Sequence, residues 1–350
     1  MHSISLIPQM KTRGLTVMST RAQDQELVAQ TASSLAINSL TDLREEKSNH
    51  RVIPCFGWHP WFSHMMYDDT NMAMNLEDEN FKIKHYQSVL TPMPEDFEFL
   101  KNLPTPRSIT SFLAETRKYL EAFPCALVGE IGLDKSFRLP CNDQSGKDTS
   151  QTEGLTPGTS EGHSLSRYHV DMHHQKAIFK AQLNLAGKMG RPVSVHGVQA
   201  HGVVFDTLRE TWKDFENESK SSIKKRRLHL SPCDRASQTQ NLPSSFPPRI
   251  CLHAYSGPKE LLKQYLHSMV PAEVYFSFST IINMSNTKAI DVIKIVPDDR
   301  ILAESDFHQA GEKMDHLLEQ VCREICKIKG WELQDGVAKL SSNWRRFVFS

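Results

Sequence analysis

The sequence predicts an α/β fold in which parallel strand–helix units build a TIM-type (β/α) barrel. Two patterns predict it: short β-branched and apolar runs that alternate with amphipathic stretches, and polar residues placed where those runs end. Size agrees, because 350 residues accommodate one barrel of ~250 residues grown by insertions. The chain is therefore read as one domain over 1–350.

The runs stand at residues 15–19, 52–57, 126–132, 192–196, 250–254, 274–278 and 301–306. Between them, 175–188 sets Ala177, Ile178, Ala181, Leu185 and Ala186 near helical spacing. In 314–329, Leu317, Leu318, Val321, Ile325 and Ile328 trace one helical face. A closed barrel of this type has eight strands, so seven runs leave it one short and predict an open sheet edge.

Three stretches interrupt the rhythm. Residues 65–106 are acidic and carry Met and Pro, as an insertion holding a helix and a lid-like loop would. Residues 142–166 are rich in Gly, Ser and Thr with almost no apolar content, which predicts disorder. Residues 213–248 contain Lys224-Lys225-Arg226-Arg227. This basic insertion reads first as a solvated loop and second as a nuclear-localisation or nucleic-acid patch.

Composition narrows the function. Lys plus Arg and Asp plus Glu are both 41, so no global charge draws the chain to DNA or acidic membranes, although a local basic groove stays open. No apolar run approaches 18 residues and residues 1–14 lack a signal-like apolar core, which predicts neither membrane insertion nor secretion and places the chain in cytoplasm, nucleus or both. The seven cysteines form no Cys-x-x-Cys pair, so they are expected to fill a reduced intracellular core. The informative excess is histidine, at 16.

Glu130, His196, His253 and Asp306 each stand at or near the end of a different run. In a barrel those ends converge on one face, where residues far apart in sequence can share a metal. Two imidazoles and a carboxylate form an open donor set for Zn²⁺, Mn²⁺ or Fe²⁺. Asp306 can then take a proton from water or hold a second ion. One such histidine would read as a hydrogen-bonded core residue, whereas four polar residues on four strands read as a site. His59, in Gly57-Trp58-His59-Pro60, reads equally as a substrate contact and as a structural turn.

Val128-Gly129-Glu130-Ile131-Gly132-Leu133-Asp134 resembles the V-G-E-I-G-L-D signature of TatD-family metal-dependent deoxyribonucleases. Gly57-Trp58-His59-Pro60, Pro192-Val193-Ser194-Val195-His196, His253-Ala254-Tyr255-Ser256-Gly257 and Glu304-Ser305-Asp306 resemble that family's further motifs in order. The long polar insertions resemble its fungal branch. The resemblance implies an amidohydrolase-like barrel that hydrolyses phosphodiester bonds of DNA with one or two divalent ions (Mg²⁺, Mn²⁺ or Zn²⁺). It implies Glu130 as the carboxylate bridging two metals and His196 and His253 as further ligands. It also implies Asp306 as ligand and base, with His59 near the substrate phosphate.

Two departures stand out. Val198 occupies the place of the family's usual Arg, and a lost guanidinium weakens the hold on a phosphate. The family's first strand, ending in His-x-His, has no counterpart. Residues 1–7 read as the helix that follows it, and His2 alone cannot replace a pair held on one side of a strand. The chain is thus expected to be a truncated gene model, an alternative start or a degenerate member, the first being preferred. Two other readings stay open: a non-catalytic protein binding partners through its insertions, and an amidohydrolase acting on a small amide or ester.

Limited proteolysis is expected to cut first within 142–166 and 216–245, which lack the apolar content to offset ordering entropy. Cleavage confined to the strand–helix units would show instead that the insertions are structured.

Overall fold

Strands form at all seven apolar runs. In the computed structural model, which describes residues 3–44, 49–69, 80–141, 164–215, 246–284 and 287–350, they are β1 (Leu15–Met18), β2 (Val52–Phe56), β3 (Leu127–Asp134), β4 (Val193–Val198), β5 (Arg249–Leu252), β6 (Glu273–Phe278) and β7 (Ile301–Ala303). They pair in parallel in that order in one sheet, which curls into a half-barrel. The crossovers carry α1 (Ala22–Leu35), α2 (Phe81–Val89), α3 (Ile109–Ala122), α4 (Met172–Lys188), α5 (His201–Trp212), α6 (Lys259–Tyr265) and α7 (Thr287–Ile295). Two further helices, α8 (Glu312–Lys329) and α9 (Leu333–Phe349), follow β7.

Alternation along the strands separates two apolar layers. One face sends Phe56, Val128, Val195, Leu252 and Phe276 against Phe179 and Leu183 of α4 and Leu208 of α5. The other gathers Ile53, Cys55, Leu127, Cys251, Tyr275 and Leu302. Both faces are covered, so the strands are nearly continuous apolar runs. Several bounds differ from expectation: β3 and β4 run two residues further, β5 stops at Leu252, and β7 stops at Ala303, ahead of the left-handed turn at Asp306 (φ +50°).

The open edge expected of a seven-stranded half-barrel is covered by α9. Its Phe347 and Val348 join the inner layer, with the Phe347 ring 5.3 Å from that of Tyr275. Buried Asn343 donates to the carbonyls of Ile301 (2.9 Å) and Asp298 (2.7 Å) at β7. The next residue, Trp344, donates its indole N–H to Thr16 Oγ1 of β1 at 3.2 Å. One helix thus touches both terminal strands of the sheet. A covering helix withholds unpaired edge groups from other chains.

The 65–106 stretch holds the expected helix and further elements. Its described part holds α2, a second short helix (Phe97–Asn102) and short strand pairs at Met66–Tyr67 with Arg107–Ser108 and Leu90–Thr91 with His169–Val170. Tyr86, Val89, Leu90, Leu100 and Leu103 bury themselves against Leu139 and Val170. Distant residues complete that cluster, so local composition understates its packing. Most of 142–166 and 213–248, including the basic run, lies outside the described residues, as do 70–79.

Replacing Asn343 by Ala leaves two carbonyls unpaired at the edge of β7. The Asn343→Ala variant should lose about 1–3 kcal/mol of stability, read as a lower urea midpoint at unchanged m-value. An unchanged midpoint would show that this contact does not hold the edge.

Candidate functional site

The predicted residues converge on one carboxylate oxygen. Glu130 Oε1 lies 2.8 Å from His196 Nδ1, 3.6 Å from His59 Nε2 and 3.8 Å from His253 Nε2. Asp306 Oδ1 lies 3.2 Å from His253 Nε2. Five residues named from the sequence, on or just beyond five different strands, therefore form one connected group. His59 sits closer to its centre than a substrate contact requires: donor atoms of His59, Glu130 and His196 all lie within 4.8 Å of one another.

The backbone explains how β3 and β4 bring Glu130 and His196 together. Gly132 has φ +149°, and a Cβ there would stand 2.0 Å from the His196 carbonyl oxygen. A Cβ on Gly129 would stand 2.9 Å from the Ser194 carbonyl oxygen. Only glycine fits either position, and the strand register shifts between Val128 and Ile131. Ser19, at the end of β1, ties the floor: its carbonyl accepts from Glu130 N at 3.2 Å and its hydroxyl from Gly57 N at 2.9 Å.

Among the described residues, three other than glycine adopt left-handed φ: Gln199 (51°), Ala254 (41°) and Asp306 (50°). All three follow strands at the face where the site lies. Such conformations cost about 1–3 kcal/mol each and cluster where geometry serves a site.

Two imidazoles are backed by carboxylates that sequence reasoning left without a role. Asp134 Oδ2 lies 3.1 Å from His196 Nε2 and accepts from the Trp61 indole at 2.7 Å. Asp134 Oδ1 accepts from Ser136 N and Phe137 N. Glu304 Oε2 lies 2.8 Å from His253 Nδ1, and Glu304 Oε1 accepts from Ala254 N at 2.7 Å. A signal for Glu304 was present: it stands two residues before Asp306, where an extended backbone would put both on one side. Asp134 closes the V-G-E-I-G-L-D segment. Trp61 carried no sequence signal; its ring stacks on Phe137 with centroids 5.5 Å apart.

These contacts set the protonation states. Burial works to raise the Glu130 carboxyl, but His253, His59 and His196 outweigh it and hold it well below the usual range. Burial works to lower His196, but hydrogen bonds to Asp134 and Glu130 push it up to about 9. His253 is likewise raised, against its burial, by Glu130, Glu304 and Asp306. His59 is lowered, chiefly by burial and then by the charge on His196. No second imidazole pair that could stand for His-x-His joins the group among the described residues, and His2 lies outside them.

Comparison with known proteins agrees with this geometry. The chain is similar to the Cut9-interacting protein scn1 of Schizosaccharomyces pombe, 36% identical over 347 residues that cover 99% of this chain and 95% of that protein. It is also similar to an uncharacterized deoxyribonuclease of Saccharomyces cerevisiae, 29% identical over 264 residues, 74% of this chain and 67% of that one. Among solved structures, an uncharacterized Saccharomyces cerevisiae amidohydrolase superposes with a TM-score of 0.54 at 15% identity, over 98% of this chain and 91% of that one. A TatD homolog of Escherichia coli gives 0.52 at 15% identity, over 100% and 91%. A TatD family hydrolase of Entamoeba histolytica gives 0.51 at 12% identity, over 96% and 85%. At such identities the structures show the barrel fold alone. The sequence profile of TatD related DNases matches residues 7–349, so the chain belongs to the TatD related DNase family.

Proposed function

We propose that this chain is a divalent-metal-dependent hydrolase of phosphodiester bonds, with DNA as its substrate class. The observation that carries the reading is Glu130 Oε1 faced by three imidazole nitrogens at 2.8–3.8 Å. Nitrogen and carboxylate donors without thiolate suit Zn²⁺, Mn²⁺, Fe²⁺ or, through the carboxylates, Mg²⁺. Glu130, His196 and His59 would hold one ion, with His253 and Asp306 adjoining. When bound, it supplies Lewis-acid polarisation of the phosphoryl group and acidifies water.

The chain's own groups do the rest. Asp306, on its left-handed turn beyond β7, would accept the proton of the attacking water. Asp134 and Glu304 fix the ring orientation of His196 and His253, and an imidazole so backed is the more basic donor. His196 would have to give up a proton to hold a metal, so ion binding at this site would compete with protons.

A second reading has its own observation. The relative that matches 99% of this chain is named for an interaction with another protein, so a partner-binding role, with or without hydrolysis, remains the alternative.

One tightly bound divalent ion per chain is expected, with slow, chelator-sensitive cleavage of a DNA oligonucleotide. Glu130→Gln should lower cleavage on the order of a thousandfold or more and weaken the ion. Two tight ions with brisk cleavage would overturn the one-ion site. A bound ion without DNA cleavage would favour the partner-binding reading or, if small esters or amides are hydrolysed, the amidohydrolase reading.

In metal-free protein, Asp134→Asn should move the His196 titration down from about 9 toward the ordinary value near 6.5, followed by histidine NMR. His196 is raised on folding, so its stabilisation is full below about pH 6.5 and disappears as pH rises through about 9. Metal-free protein should therefore lose stability across that window, and the variant should lose less. An unmoved titration would show that Asp134 does not set the charge of His196.

A further inference from the structure

Three histidines outside the site meet beneath the 65–106 insertion. His64 lies in the 3-10 turn Pro60–Met65, His85 in α2 and His174 in α4. His64 and His85 are 6% and 5% exposed. His85 Nε2 bonds the His64 carbonyl at 2.7 Å, and His174 Nε2 bonds the Ser63 carbonyl at 2.9 Å. The His85 and His174 rings lie 6.0 Å apart, and His64 faces Tyr86 at 6.1 Å. His64 Nδ1 is buried without a hydrogen-bond partner. The carbonyls held by this trio belong to the turn that starts at His59 and carries Trp61, the indole donor to Asp134.

Of the groups facing the trio, Asp171 and Asp68 favour charge on His174, but burial outweighs them. The rings of Tyr67 and Tyr86 pack on His85 at 6.4 Å and 5.1 Å. Asp68 and Asp171 act on His174, but Asp171 accepts the backbone N–H groups of His173 and His174 as the cap of α4. Burial, with mutual repulsion among the rings, pushes His64 down to about 3 and His85 down to about 4, and burial also lowers His174. Folded protein thus holds the rings neutral at a pH where exposed imidazoles carry charge.

We propose that His64, His85 and His174 form an acid-sensitive latch. Neutral, they hold α2 and the 60–65 turn against α4; proton uptake on mild acidification releases α2 and the turn, and with it Trp61's grip on Asp134. The sign follows from linkage. Opened protein binds protons from about pH 6.5 downward while closed protein does not, so the opening constant rises up to tenfold per pH unit for each imidazole exposed. The latch stands whether or not the site hydrolyses DNA.

Hydrogen exchange of the full chain, followed by mass spectrometry at pH 7 and pH 5 and normalised to intrinsic rates, tests it. Peptides spanning 60–67 and 81–89 should lose at least tenfold protection relative to β4 and β5 at pH 5. The double variant His85→Gln, His174→Gln keeps an N–H to donate to each carbonyl and leaves His64 as the one ring of the trio that can titrate, so it should lose far less protection at pH 5 than wild type. Should the variant fail to fold at pH 7, wild-type histidine NMR decides. Ring titrations that track the loss of protection support the latch, and titration near 6.5 with protection intact overturns it. Protection equal at both pH values, loss shared equally by β4 and β5, or a folded variant that opens like wild type overturns it as well.

Discussion

A carboxylate taken out of water must find compensating charge and polar partners, and Glu130 finds them in three imidazoles, two of which carry charge. Much of the local architecture follows from that constraint. An unpaired ion at such depth would cost several kcal/mol, so His59, His196 and His253 have to arrive from three strands at one oxygen. Their arrival requires β3 and β4 to approach more closely than side chains at 129 and 132 would allow, hence glycine at both positions. It also requires the chain to turn sharply once the ligand-type residues are placed, which it does at Gln199, Ala254 and Asp306. The rings are then fixed from behind by Asp134 and Glu304. A loss at any one of these points is felt at the others, because they share two or three polar atoms.

The second constraint is topological. Seven parallel strands curl without closing, and both terminal strands would otherwise present unpaired backbone groups. Helix α9 resolves this with side chains of different chemistry: Asn343 replaces part of the ladder at β7, Trp344 reaches β1, and Phe347 and Val348 fill the inner layer. The core and the cover of the sheet are therefore one unit, which ties the integrity of the candidate site to a helix lying near the chain's end.

Much of this was legible in the residues, and the exceptions are instructive. The strands could be read because parallel strands buried on both faces cannot afford polar positions, so each appears as an apolar run. Glu130, His196, His253 and Asp306 could be read because a polar residue closing such a run demands a reason. Asp134 and Glu304 stood in the same segments, but their task depends on which ring nitrogen faces which neighbour, and spacing does not reveal it. Trp61 depends on the fold of the turn after Pro60. The role of α9 was hidden because the layer that Phe347 and Val348 join is set by the gap between β1 and β7. The packing of the 65–106 stretch beyond its expected helix was not legible because its core borrows Leu139 and Val170 from elsewhere.

The charge of the site bears on which substrate it favours. Four carboxylates, Glu130, Asp134, Glu304 and Asp306, face two imidazoles that carry charge and one, His59, that burial keeps from it. The excess is negative. A phosphodiester is itself an anion, and two residues beyond His196 stands the uncharged Val198. With only these side chains around it, a phosphate would be repelled. A divalent cation reverses the local sign and gives the phosphate a partner that Val198 does not. A neutral amide or ester needs no such reversal. Phosphodiester binding should therefore depend on the cation more steeply than binding of a neutral substrate, and the contrast originates in residues that can be named: four acids kept close together by three imidazoles and two glycines.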